Sequence, residues 1–270
     1  VVNVRYMRGL VKMMDSYGPM GDINVSKVDV IISTEVLFPP TKQELPTPEK
    51  GVLQSIGKTL IIDLQRSEEE IYADIGKNAR YKINRASKRD PITYHELTAP
   101  TDEEIEKFVA FFDGFSKHKK IQKANVGRLK GLRDQDSLLI SYVMDEDSHV
   151  LCYHAYLKTD TYCSLLHSAS ARFENSTMRN MIGRANRFLH WQDMKSLKKM
   201  GHKWFDFGGL FIDASAADEK NINQFKEEFG GRTVDVDKRF SSYSIIGHLV
   251  VFLFWFKMRK KPEFLRAKVI

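Results

Sequence analysis

The sequence predicts an α/β protein of the α+β kind, a mixed and largely antiparallel sheet flanked by helices. Two observations predict it. Three apolar runs of strand length, Ser137 to Met144, Val150 to Leu157 and Tyr162 to Ser168, follow one another across an acidic turn and the short turn at Thr159 and Asp160. A helical stretch ending at Gly201 then leads to Trp204–Gly231, which reads WFDFGG, a polar loop and INQFKEEFGG, a strand-loop-helix-turn unit with glycine pairs at both ends.

Composition narrows the class. A chain of 270 residues with 42% hydrophobic residues buries a core as one large domain or two small ones, which excludes disorder. The formal charge of +7 favours an anionic partner without choosing among a phosphate-bearing cofactor, nucleic acid and an acidic membrane surface. Two cysteines are too few for a disulfide scaffold, so a reducing compartment, the cytoplasm, is expected. The N-terminus VVNVRYMRGL has no signal-peptide apolar core, and it opens on Val1 rather than Met.

The elements follow in order. Val28–Ser33 and Leu60–Leu64 are short strands separated by a proline-bearing loop from Pro39 to Pro48. SEEEIYADIGKNARYKINRASKRD then reads as one helix from a Ser67 cap to Lys88 and Arg89. Ile71, Ile75, Ala79 and Ile83 form its buried stripe, and Lys77, Arg80, Lys82, Arg85 and Lys88 form a basic face that is either solvated or phosphate-facing. Thr101–Ser116 is a helix opened by a Thr101/Glu104 capping box, with Ile105, Phe108, Phe111 or Phe112, and Phe115 on its apolar face. Phe188, Leu189, Met194 and Leu197 mark the buried side of the helix that ends at Gly201.

Two stretches resemble the FemAB-like branch of the GNAT acyltransferases. One is TLIIDL followed by a helix carrying Arg80, Tyr81, Ile83 and Ala86; the other is the WFDFGG strand with its FKEEFGG helix end. The β-β-β-α-β order between them is similar to that of a GNAT core. The resemblance spans roughly residues 58 to 240 and implies three regions: 1–87 a reduced GNAT-like lobe with a connecting helix, 88–243 the acyltransferase domain, and 244–270 an apolar and basic C-terminal segment. It implies transfer of an acyl or aminoacyl group to an amine on a cell-envelope sugar, nucleotide-sugar or peptidoglycan-type acceptor, small or lipid-linked. Asn180, Gly183 and Ala185 in NMIGRA nearly match the GNAT element that holds the coenzyme A pyrophosphate, with Arg184 and Arg187 adding positive charge, so acyl-CoA is the expected donor. Asn stands where the family has Gln or Arg, and aminoacyl-tRNA is the alternative donor. Arg80, Asn84, Gly208 and Gly209 are the residues that the resemblance assigns to substrate. A homodimer is a further expectation, and a non-catalytic adaptor on the same fold is the rival class.

The catalytic candidates come from strand parity. With Thr159 and Asp160 as a two-residue loop, Cys152 faces His167, His154 faces Leu165 and Tyr156 faces Cys163, which puts both histidines, Tyr156 and both thiols on one face. Histidine suits proton removal near neutral pH and tyrosine can return a proton, so His167 or His154 is the expected base and Tyr156 the acid. Zinc spacing is lacking, so no metal is expected. Asp206 orients the acceptor, serves as base, or caps the Gly208-Gly209 turn.

Ile245–Phe256 is nearly all apolar over about twelve residues, short of the roughly 20 needed to span a bilayer, and Lys257, Arg259, Lys260 and Lys261 follow. It is either a buried core or interface helix, or an element lying on an anionic membrane through 245–261, which would place the protein at the inner face of the membrane.

Overall fold

The computed structural model describes residues 1–18, 24–37, 49, 51–173 and 175–268; the predicted loop from Pro39 to Pro48 lies outside them. In chain order the elements are β1 (Val2–Arg8), β2 (Val11–Tyr17), β3 (Val30–Val36), β4 (Leu53–Asp63), α1 (Glu68–Asp74), α2 (Lys77–Arg89), β5 (Ile92–Leu97), α3 (Asp102–Lys119), α4 (Val126–Arg133) and β6 (Leu138–Asp145). There follow β7 (Val150–Lys158), β8 (Tyr162–Ser170), α5 (Ser176–Lys199), β9 (Trp204–Leu210), α6 (Ala217–Glu227), β10 (Arg232–Ser242), α7 (Ile245–Met258) and α8 (Pro262–Arg266). The mixed α/β class with a mostly antiparallel sheet flanked by helices is as expected.

The chain forms two compact units whose limits differ from the boundaries at 87/88 and 243/244. One is Val1–Leu60 with Gly209–Gln224 and Arg232–Ile270; the other is Ile61–Gly208 with Phe225–Gly231. The first unit is therefore completed by the C-terminal segment.

In the first unit the strand order is β1-β2-β3-β10, followed by the Leu53–Leu60 part of β4. β1 and β2 form a tight hairpin in register from Val2 opposite Tyr17 to Arg8 opposite Val11. Alternation in β1 buries Val2, Val4 and Tyr6 on one face. Tyr6 and Tyr17 both donate to the buried Asp15 carboxylate, at 2.9 Å each, which satisfies a charge that would otherwise be costly inside.

In the second unit the order is β9-β8-β7-β6-β5. β7 is buried along nearly its whole length, as expected of a strand covered on both faces. One face carries α3, whose Phe108 and Phe112 pack on Tyr153 and His167, and the other carries α5. The Thr101/Glu104 capping box forms as read.

Ser67–Arg89 is not one helix. It breaks at Ile75 and Gly76, where the Gly76 N–H leaves the helical pattern and donates to the Glu228 carbonyl at 2.7 Å. The apolar stripe survives the break, because Ile71, Ile75, Ala79 and Ile83 are all buried.

Candidate functional site

The strand register decides which chemistry can meet. β7 and β8 are joined by a turn in which Thr159 N–H bonds the Tyr162 carbonyl, so Lys158 pairs with Cys163 and Tyr156 with Leu165. One extra residue, Leu166, then enters β8, and Ala155 rather than His154 stands opposite His167. The expected common face of His154 and His167 is thus overturned: a bulge of one residue inverts every side chain beyond it. Cys152, His154, Tyr156 and Cys163 do share a face.

That face packs on α5. His154 Nδ1 lies 2.7 Å from Asp193 Oδ2, Tyr156 donates to the same oxygen at 2.7 Å, and His154 Nε2 meets Asn186 Oδ1 at 3.0 Å. His154, Tyr156 and Asp193 are completely enclosed. Burial and the Asp193 charge push the Tyr156 hydroxyl far above its ordinary range, so it keeps its proton. The His190 ring lies 4.1 Å from that of His154, tilted by 37°, among Phe207, Phe225 and Phe229, and burial pushes its pKa well down, so it stays neutral. His154, His190 and Asp193 could each offer a metal ligand atom within 4.8 Å of the others, yet the bonds just given already join His154 to Asp193. Asp193 Oδ1 and His190 Nδ1 are buried without a hydrogen-bond partner, so the network is only partly satisfied.

His167 lies on the α3 face, 4.5 Å from the Phe112 ring and 6.0 Å from that of Phe108, and burial lowers its pKa to about 4. A base so reluctant to take a proton is poorly suited to neutral pH.

NMIGRA does not form a phosphate cradle. It lies inside α5, which begins at Ser176 under an Asn175 cap, so Gly183 is well past the first turn, where free N–H groups end. Asn180 is exposed and Ala185 is buried in an apolar cluster with Val143, Leu151 and Leu189. Arg184 grips Asp90 in bidentate fashion at 2.6 and 2.8 Å. Arg187 Nε and Nη2 both donate to Glu228 Oε2, at 3.0 and 2.8 Å, with the guanidinium 4.7 Å from the Phe225 ring centre. These arginines pin α5 to neighbouring segments.

The glycine-flanked unit assembles a different site. β8 and β9 run parallel and pair over three positions, Tyr162, Cys163 and Ser164 opposite Trp204, Phe205 and Asp206. The ladder ends there, and β8 continues to Ser170 paired with β7 on its other side. At this fork Asp206 accepts from Ser164 Oγ at 3.0 Å, from the Tyr162 hydroxyl, and from the Gly208 N–H at 2.7 Å. Gly208 takes φ of +77°, and a Cβ there would sit 3.2 Å from the Leu165 carbonyl. Lys226, in the last turn of α6, donates to the Gly208 carbonyl at 3.2 Å. Burial lowers its pKa to about 8, while the Asp206 charge acts to raise it. The helix end is held by Gly230 and Gly231, both at positive φ; a Cβ on Gly231 would lie 2.5 Å from the Ile61 carbonyl.

Arg80 and Asn84 belong elsewhere in this unit. Arg80 donates to the Ala73 carbonyl across the α1–α2 break, at 2.5 Å. Asn84 lines a cleft of about 270 Å³ with Glu68, Glu69, Tyr72, Trp191 and Lys195. Gly209, in the first unit, lies close to the Lys58 carbonyl. Sequence reasoning missed Lys226, Tyr162, Ser164 and Asp193 as polar partners; the position of Lys226 in FKEEFGG was the available signal.

No family model matches this sequence, and no curated protein matches it either. Solved structures do match the fold. FemX aligns over 87% of this chain and 83% of its own with a TM-score of 0.59 at 11% identity. A C-terminal domain from Agrobacterium fabrum, assigned to a lysylphosphatidylglycerol synthetase, aligns over 97% and 86% with a TM-score of 0.54 at 13% identity. L-PGS from Bacillus licheniformis aligns over 92% and 83% with a TM-score of 0.52 at 13% identity. The chain therefore shares its fold with FemX and with these two domains. Among the described residues no helix is long and apolar enough to cross a membrane.

Proposed function

We propose that this chain transfers an acyl or aminoacyl group from an activated ester to an amine at the fork between β8 and β9. The observation that carries this reading is a part-buried lysine of lowered pKa set beside a carboxylate where a parallel ladder stops. Beyond Ser164 the edge of β8 on the β9 side can accept an extended donor by backbone hydrogen bonds. In the reaction the amine nitrogen attacks the acyl carbon, charge builds on the carbonyl oxygen, the ester C–O bond breaks, and the leaving oxygen takes up a proton. Lys226, as ammonium, would stabilise that oxygen, and a donor aimed at developing charge in a water-poor site contributes strongly. Asp206 with Tyr162 would receive the amine proton and hold the fork in shape.

Aminoacyl-tRNA is the donor that these observations favour. The coenzyme A reading rested on Gly183 at a helix start, and that support is gone. α2 has the sequence KNARYKINRASKR, with six basic residues and no acid, and Lys77, Arg85, Lys88 and Arg89 are exposed on it, which suits a polyanionic donor. The FemAB-like resemblance points the same way, and a cell-envelope amine remains the proposed acceptor. Native mass spectrometry of freshly purified protein tests the donor: retained tRNA that is released by salt supports the reading, whereas retained coenzyme A restores the thioester donor.

A further inference from the structure

We propose that α7 and the basic residues after it form a surface that lies on an anionic lipid bilayer. The inner side of α7 is fixed within its own unit. Ser244 caps it by accepting from Gly247 N–H at 3.0 Å and also donates to Asp29. Gly247 passes so close to the Asp29 carbonyl that a Cβ would lie 2.0 Å from it. Phe254 packs on Phe240 at 4.7 Å and Phe264 at 5.7 Å.

The other side is apolar and uncovered. Ile245 is 90% exposed, Ile246 51%, Leu249 58%, and Phe252, Leu253 and Phe256 each 56%. At about 100° per residue these six fall within about a third of the helix circumference. Single exposed apolar residues need no explanation, but a continuous row of six does. The expectation of a buried core helix accounts only for the inner side.

Length and charge select the occupant. α7 has 14 residues, so it is about 21 Å long at about 1.5 Å per residue, too short for a hydrocarbon core of about 30 Å. It can lie on a membrane but not cross one. Lys257, Arg259, Lys260 and Lys261 cluster at its C-terminal end, with the Arg259 guanidinium 4.0 Å from the Phe256 ring centre and 5.5 Å from that of Trp255. Such an aromatic and basic edge suits the headgroup layer. From Ser244 to Lys261 there is no Asp or Glu. A second copy of this helix would therefore bring no carboxylate to the cluster, whereas phosphate headgroups do.

Flotation with vesicles tests this on the full chain. The wild type should float with vesicles of phosphatidylglycerol and phosphatidylcholine in equal parts, at least about tenfold more than with phosphatidylcholine alone, and high salt should release most of it. Phe252→Glu and the triple change Lys257→Glu, Lys260→Glu, Lys261→Glu alter exposed side chains outside the fork, so both should fold and both should lose flotation about tenfold or more. Equal flotation on the two vesicle types overturns the proposal, as does a wild type that stays unbound. A dimer in solution that Phe252→Glu dissociates, without vesicle binding, assigns the face to a second copy instead.

Discussion

Lys226 reaches from the last turn of α6 to the carbonyl of Gly208, placing its ammonium group where the β8–β9 ladder ends. Replacing it with methionine keeps most of the buried chain but removes the charge. Turnover should fall about 10² to 10³-fold with the fold intact, the range seen when one donor to a developing oxyanion is lost. Circular dichroism alongside the rate measurement separates this from unfolding.

The same lysine sets a pH signature. Its folded-state pKa of about 8 lies below the ordinary 10.5, so between those values the unfolded chain holds a proton that the folded chain has released. Stability gains a contribution that rises with pH across that window and is absent below it. Activity that needs the ammonium form should decline as pH passes about 8. Chemical denaturation and rate profiles of wild type and Lys226→Met should differ there, and parallel profiles would count against the assignment.

His167 provides a contrast. Its pKa of about 4 lies below the usual 6.5, so the stability it contributes is full above pH 6.5 and is lost as pH falls toward 4, where the unfolded chain takes up a proton first. His167→Phe, placed against Phe108 and Phe112, should raise the melting temperature at pH 5 relative to pH 7 and leave turnover within about twofold, because His167 faces α3. A loss of 10² or more in turnover would return this residue to the catalytic list.

Two glycines should behave oppositely. Gly183 lies in a helix interior with nothing within 4 Å of a Cβ, so Gly183→Ala should stabilise by about 0.5 to 1 kcal/mol and leave donor binding unchanged. Gly231 has φ of +89° and no room, so Gly231→Ala should destabilise by about 2 kcal/mol or more. Thermal denaturation of the two variants decides both.

The contrast between these residues explains what was legible. Signals carried within one turn of helix were readable: the Thr101 capping box and the Ile71 to Ile83 stripe depend on neighbours three or four residues away. Strand faces were readable only until a bulge. Leu166 is an ordinary apolar residue, and nothing local marks it as the extra one that turns His167 away from His154. The partners of His154 and Asp206 lie across long crossovers, from β7 to α5 and from β8 to β9, where sequence spacing carries no register. The break at Gly76 was hidden for a related reason, since the Glu228 carbonyl that receives its N–H comes from the far end of the unit.

The central claim is that transfer occurs at the β8–β9 fork on Lys226. A single-turnover assay with charged tRNA and cell-envelope amine acceptors, comparing wild type with Lys226→Met, tests it most directly. The account predicts amide formation by the wild type, at least about 10²-fold slower formation by the variant, and equal retention of tRNA by both. Equal rates for the two proteins, or transfer by the wild type from acyl-CoA and not from charged tRNA, would contradict it.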